Sequence, residues 1–253
     1  GGTSRICKLT TSGALDRHWG EGGYASVAFN IDRLLYDRWS NDLIALAQDD
    51  SGPVPSRILA ARIDADTGTL RTTFGDAGLA SYVPGVGVPP STDGSATSYG
   101  VYLGEALALP HGRLAIGVSV TQEVLTSSND PEFGYSYVSV EARTTGVLML
   151  CSNGQRDVRF GKRGIAFTAS DSAHARGDIY SSSSSGSSTL IKAMQAQPDG
   201  GIRLLSATIS GGTDDYFDPP SNRSSFSILD QTLSSAGQML VDQDHRYDLH
   251  TGR

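Results

Sequence analysis

Gly13-Ala14-Leu15-Asp16-Arg17-His18-Trp19-Gly20-Glu21-Gly22-Gly23 is the stretch from which the rest of the chain can be read, because its pattern returns twice. The second copy is Gly68-Thr69-Leu70-Arg71-Thr72-Thr73-Phe74-Gly75-Asp76-Ala77-Gly78, and the third is Gly154-Gln155-Arg156-Asp157-Val158-Arg159-Phe160-Gly161-Lys162-Arg163-Gly164. In each, an aromatic, a second Gly and a last Gly follow the first Gly by 6, 7 and 10 positions. An apolar, strand-like run precedes every copy: Ile6 to Leu9, Ile58 to Ile63 and Val147 to Leu150. A strand arriving at the first Gly has to reverse, and Gly supplies the positive φ that such a reversal uses. Asp16 and Asp157 stand where a carboxylate accepts from backbone N–H groups two or three residues on. Arg71 holds that place in the second copy, so the motif does not require the bond. Trp19, Phe74 and Phe160 are expected to be apolar plugs that close the end of each unit.

The motif resembles the delta-60 repeat, a bacterial β-propeller repeat in which an apolar strand is followed by G-x-L-D, two residues, F-G, two residues and G. The other half of that repeat, a strand ending in a Pro-Asp-Gly turn followed by an apolar strand, is matched by Ala193 to Leu205 around Pro198-Asp199-Gly200. It is matched again by Ala106 to Gly117, with His111 in place of Asp, and in degenerate form by Leu34 to Leu46 around Asn41-Asp42. A last half-repeat, Phe226 to Leu240 around Gly237, lacks the Leu-Asp and Phe-Gly pairs. The resemblance implies a propeller fold and says little about activity.

Counted this way, the chain is all-β, a single domain over 1–253 with repeat units at about 5–29, 34–83, 101–167 and 190–244. The inventory is about fourteen strands, or three and a half four-stranded units of a β-propeller or partial propeller. A closed ring needs whole units, and an unpaired strand edge is a template for association; the expectation is therefore a part in a larger chain or assembly. From each motif's first Gly to the next half-repeat turn the distance is 28 residues in one case and 44 and 46 in the others. From that turn to the next motif it is 27, 42 and 37. The excess marks four insertions, Pro84 to Ser98, Ser127 to Tyr135, Ala169 to Thr189 and Ser210 to Ser225, with Ser181 to Ser188 read as a flexible connector. In an up-and-down meander all four emerge on one face, where binding residues commonly sit.

The 253 residues carry a net charge of −7, and no cluster of Lys or Arg is interleaved with stacking aromatics, so nucleic acid is not an expected partner. No run of eighteen apolar residues exists, so no membrane span is expected. Gly1-Gly2-Thr3 is not a signal peptide, and a chain opening directly in a strand fits removal of a leader or an upstream segment. Ser-rich loops and few lysines fit a secreted, cell-surface or periplasmic location. Cys7 and Cys151 lie at different offsets from their glycines, which favours two buried free thiols over a disulfide.

Candidate chemistry is sparse. Asp64-x-Asp66-x-Gly68 has the alternate oxygens of half a calcium loop, without the bidentate Glu that completes one. His18, His111, His174, His245 and His250 show no zinc spacing, and no Gly-x-Ser-x-Gly elbow is present. Arg176-Gly177-Asp178 spells an integrin-binding tripeptide within one insertion. Tyr99, Tyr135, Tyr180, Tyr216 and Phe217 lie in or beside the insertions, and aromatics of that kind suit a protein or glycan partner. Three functional readings follow: a non-catalytic binding or scaffolding module, an enzyme of hydrolase or lyase type with its site at the centre of the long-loop face, and a structural subunit of a surface filament or envelope complex.

Overall fold

A computed structural model of the chain describes residues 2–50, 56–83, 96–130, 134–178, 182–214 and 223–249. The protein is all-β, with fourteen strands among those residues and one short 3-10 turn, Pro110–Gly112. The strands are β1 (Ser4–Cys7), β2 (Tyr24–Val27), β3 (Arg33–Asp37), β4 (Asp42–Asp49), β5 (Arg57–Asp64), β6 (Leu79–Tyr82) and β7 (Ala96–Leu109). They continue as β8 (Arg113–Asp130), β9 (Gly134–Leu150), β10 (Ile165–Asp178), β11 (Ser182–Ala196), β12 (Ile202–Asp214), β13 (Arg223–Leu233) and β14 (Met239–Leu249). Every strand pairs with its sequence neighbour: β1 with β2, β3 through β6 as one four-stranded sheet, and β7 through β14 as one eight-stranded sheet. Two compact units emerge, one of Gly1–Pro84, Ala106–Ile116 and Leu148–Ile165, the other of Gly85–Glu105, Gly117–Val147 and Ala166–Arg253.

In the first unit, the central strands β4 and β5 are apolar nearly throughout because both their faces are covered, and Ile44, Leu46, Ile58 and Ile63 are fully buried. Strands β2 and β6, further out, read as alternation, with Ala25, Val27, Ala80 and Tyr82 inward. Trp19, Ala25, Val27 and Phe29 pack against Ala45, Ala47, Leu59, Ala61 and Ile63. Alanines on that inner face let the two layers approach closely around the large Trp19 ring.

The three glycine motifs share one local structure. The aromatic's N–H donates to the carbonyl three residues back in each case: Trp19 to Asp16 at 3.1 Å, Phe74 to Arg71 at 2.9 Å and Phe160 to Asp157 at 2.9 Å. Asp16 and Asp157 add a carboxylate bond, accepting from His18 N–H and Arg159 N–H. Trp19, Phe74 and Phe160 are 2%, 1% and 1% exposed, the plugs that the sequence predicts. The motifs also interlock. Gly20 N–H donates to Thr67 O at 2.7 Å, and Gly75 N–H donates to Asn153 O at 2.8 Å, so the turn entering one motif seats on the aromatic–glycine corner of the motif before it. Trp19 Nε1–H adds a bond to Ala65 O.

The second unit contains most of the longest strands. The repeat spacing predicts loops at Ala169 to Thr189 and Ser210 to Ser225, whereas β10 runs to Asp178, β11 begins at Ser182, β12 runs to Asp214 and β13 begins at Arg223. The described parts of these two insertions are extensions of paired strands, and the serine run Ser182 to Ser188 is part of β11 rather than a connector. Backbone ladders and hydroxyl pairs take the place of apolar alternation there: Thr189 faces Thr208 with their hydroxyls 2.7 Å apart, and Ser210 faces Ser225 likewise at 2.7 Å. Among the described residues the β10–β11 ladder joins Ala173–Gly177 to Ser182–Gly186, and it links β7–β10 with β11–β14. Gly104 and Gly117 lie where an added Cβ would come within 3.1–3.3 Å of neighbouring backbone or of Ile191, so a side chain at either place would need its neighbours to give way slightly.

Candidate functional site

Two features of the first unit concentrate polar side chains. One is a buried ionic network at the β3–β4 turn. Arg62, the single charge within the apolar core of β5, is 3% exposed, and its Nη1 donates to Asp37 Oδ2 at 2.9 Å, Asp42 Oδ2 at 3.1 Å and Ser40 Oγ at 2.8 Å. Its Nη2 donates to Gly112 O at 2.6 Å, and the guanidinium lies 5.5 Å from the centre of the Phe74 ring. Asp37 is wholly buried and accepts also from Trp39 N–H and Ser40 Oγ–H. Such a set costs desolvation and is held by its geometry. It ties β3, β4, β5 and the 3-10 turn together, and its acidic oxygens are committed to donors.

Asp64 and Asp66 sit beside this network. Asp64 Oδ1 accepts from the N–H groups of Asp66 and Thr67, both at 2.9 Å, and Oδ2 from Arg71 Nη2 at 2.7 Å. Asp66 Oδ2 accepts from Asn41 Nδ2, whose own Oδ1 accepts from Tyr36 Oη–H. The Thr67 backbone N–H, then the Thr67 hydroxyl, the Asp66 N–H and the charge of Arg71 hold the Asp64 carboxyl below the usual carboxylate range, against the opposing effect of burial. The Asp-x-Asp-x-Gly sequence is thus used as a hydrogen-bonded turn facing donors. No group of three or more His, Cys, Asp or Glu arranged to hold a metal occurs among the described residues.

The second feature is a cleft of about 420 Å³ lined by the residues that follow β2, by the end of β4 and the start of β5, and by β6. Ala47, Leu59 and Leu79 form an apolar floor, and Asn30, Asp50, Arg57 and Ser81 contribute polar groups to the lining. The Arg57 guanidinium pairs with Asp49 Oδ2 at 2.8 Å, and Gln48 Nε2 donates to Asp50 Oδ2 at 2.8 Å, which fixes the rim. Gln48 N–H donates to Asp32 Oδ2 at 2.7 Å, anchoring the β2–β3 connection to β4. The lining offers hydrogen-bond acceptors, donors and apolar area, with no His, Cys or Lys among the described residues.

Of the residues singled out in the sequence, Tyr99 lies on β7 and Tyr135 on β9, their side chains outside the described set. Tyr180, Tyr216 and Phe217 lie outside the described residues. Arg176-Gly177-Asp178 closes β10, with Arg176 opposite Ser183 and Gly177 opposite Ser182, so the tripeptide belongs to a strand end. Cys7 and Cys151 are free, and Cys7 is exposed rather than buried, because Ile6 takes the core-facing side of β1. Sequence reading passes over Arg62, although a lone Arg inside Ile58 to Ile63 is the signal of a buried, paired charge. It also passes over the cleft, whose lining is drawn from strand ends that carry no motif.

Comparison with protein-family models, with curated proteins and with solved structures finds no match.

Proposed function

We propose that this chain is a partial β-propeller of delta-60 type acting as a non-catalytic binding module, exported to a bacterial surface or periplasm, and that its partner is a protein or a glycan. The observation that supports the reading is the cleft. The residues that follow β2 and the adjoining ends of β4 and β5 frame an apolar floor with amide, carboxylate, guanidinium and hydroxyl groups at its margin. That combination suits a ligand with both hydroxyl or amide groups and apolar faces, and rigid strands hold it in place. Asp64 and Asp66 are read as part of the scaffold rather than as calcium ligands.

The test is a glycan array and an envelope-protein capture with the wild-type chain and with Ser81→Trp, which fills the cleft from an exposed position on β6. Binding that is lost in Ser81→Trp, with the circular dichroism spectrum and melting temperature retained, supports the reading. Absence of any bound glycan or protein, or binding indifferent to Ser81→Trp, overturns it.

A further inference from the structure

The interlocking of the glycine motifs leaves one half of a joint open. Where the joint is made, the turn glycine is buried: a Cβ on Gly68 would lie 2.6 Å from Gly20 N and 2.8 Å from Trp19 Cδ2, and one on Gly154 would lie 2.8 Å from Gly75 N and 3.2 Å from the Phe74 ring. The Gly13 turn has the same construction. Its φ is +83°, against +71° and +80° at Gly68 and Gly154. Gly13 N–H donates to Thr10 O at 2.9 Å and Thr10 N–H to Ala14 O at 2.8 Å, as Gly154 N–H donates to Cys151 O at 2.9 Å and Cys151 N–H to Gln155 O at 2.7 Å. Yet Gly13 is exposed, and among the described residues nothing lies within 4 Å of where its Cβ would be. The strand leading into it is open too: among the described residues β1 pairs only with β2, whereas β5, which leads into Gly68, lies between β4 and β6.

We propose that the Gly13 turn is a docking element and that its occupant is the Phe160–Gly161 corner of a second copy of this chain. The joint is polar, a turn on one side and a corner on the other, and the first two corners are filled within the chain by Gly68 and Gly154. The third has the same build: Gly161 has a φ of +55°, against +57° at Gly20 and +64° at Gly75. Phe160 accepts at its carbonyl from Gly164 N–H at 2.9 Å, as Trp19 does from Gly23 N–H at 2.8 Å. A second copy so placed gives Gly161 N–H the Ser12 carbonyl as acceptor, which repeats the bonds to Thr67 O and Asn153 O. Because the two surfaces differ, the contact is head-to-tail and extends into a series or a ring.

The experiment is sedimentation velocity of the full chain over a concentration series, with Gly13→Asn alongside. Asn tolerates positive φ, so the turn survives while its side chain occupies the docking side. Expected are species in multiples of 26.6 kDa for the wild type, a monomer for Gly13→Asn, and a lowered mean mass of wild type when Gly13→Asn is added, since a chain lacking the turn surface terminates a head-to-tail series. A wild type that stays monomeric, as it would if the turn receives a different partner, overturns the proposal; so does association that Gly13→Asn leaves unchanged. Should Gly13→Asn fail to fold, hydrogen exchange of the wild-type Gly161 amide decides: slowing by about tenfold or more on association supports the joint, and a rate independent of concentration refutes it.

Discussion

Arg71 Nε donates to Asp42 Oδ1 at 2.9 Å, joining the second glycine motif to the first residue of β4. The third motif makes the corresponding link with the charges exchanged: Arg113, the first residue of β8, reaches Asp157 Oδ2 at 3.3 Å through Nη2. The ion pair therefore belongs to the position rather than to either residue type. Replacing Arg71 by Asp sets three carboxylates, those of residues 42, 64 and 71, against one another. Arg71→Asp is expected to lower stability well beyond the approximately 1 kcal/mol typical of losing a partly exposed pair. Asp42→Arg together with Arg71→Asp should recover only part of that loss, because Asp42 also serves Arg62. A urea double-mutant cycle measures both effects.

Arg62 is expected to be the most sensitive polar position. Arg62→Met leaves Asp37 and Asp42 buried with fewer donors, and breaking a buried pair in this way costs about 3–5 kcal/mol. Equilibrium denaturation of the purified variant, compared with wild type, gives the difference directly; a change below about 1 kcal/mol would show that the network contributes little.

The turn glycines should separate into two classes. Gly68→Ala and Gly154→Ala add the strain of a positive φ, about 1–2 kcal/mol, to an overlap with backbone at 2.6–2.8 Å. Gly13→Ala adds the strain alone in a single chain. Melting temperatures at low protein concentration should therefore fall much further for the first two than for the third.

Tyr82 is buried, and among the described residues its hydroxyl has no hydrogen-bond partner. Burial pushes its pKa well above the usual tyrosine value, with the charge of Arg156 acting in the opposite sense. A group whose folded pKa is raised gives stability that is present below the unfolded value of about 10 and is lost as pH climbs above it. Tyr82→Phe is expected to leave stability at pH 7 unchanged or raised, and to weaken the alkaline loss above about pH 10. Melting curves at pH 7 and pH 11 distinguish these outcomes.

Asp64 works in the opposite direction. Its folded pKa is depressed, so its contribution is present above the unfolded carboxylate value of about 4 and disappears as pH falls below it. The gap in urea midpoint between wild type and Asp64→Asn should close on going from pH 7 towards pH 2.5. A gap that stays constant would locate the effect in packing rather than charge.

The legible parts of the chain were those in which backbone geometry and burial both leave a residue signature. Gly13, Gly68 and Gly154 mark reversals, Trp19, Phe74 and Phe160 mark core ends, and the sheet β3–β6 falls within one residue of the expected 34–83 unit. The second unit was harder because its interior is partly hydroxylated. Thr145 Oγ1 donates to Thr189 O at 2.8 Å, Thr168 Oγ1 to Thr145 O at 3.2 Å, and Gln231 Nε2 to Thr168 O at 2.9 Å, all from buried side chains. A strand stabilised by such bonds shows no apolar alternation, so Ala169 to Thr189 reads as a loop. The cleft was illegible for a different reason: Asn30, Asp50, Arg57 and Ser81 come together only once three strand ends meet, and none of them carries a spacing that announces it.

The bonds from Gly20 to Thr67 and from Gly75 to Asn153 are made by main-chain atoms alone. A coupling of that kind is indifferent to what the neighbouring side chains are, provided the glycines stay. Tandem duplication within a gene could lengthen such a molecule without inventing a new contact, and surface residues could diverge freely while the backbone pitch stayed constant.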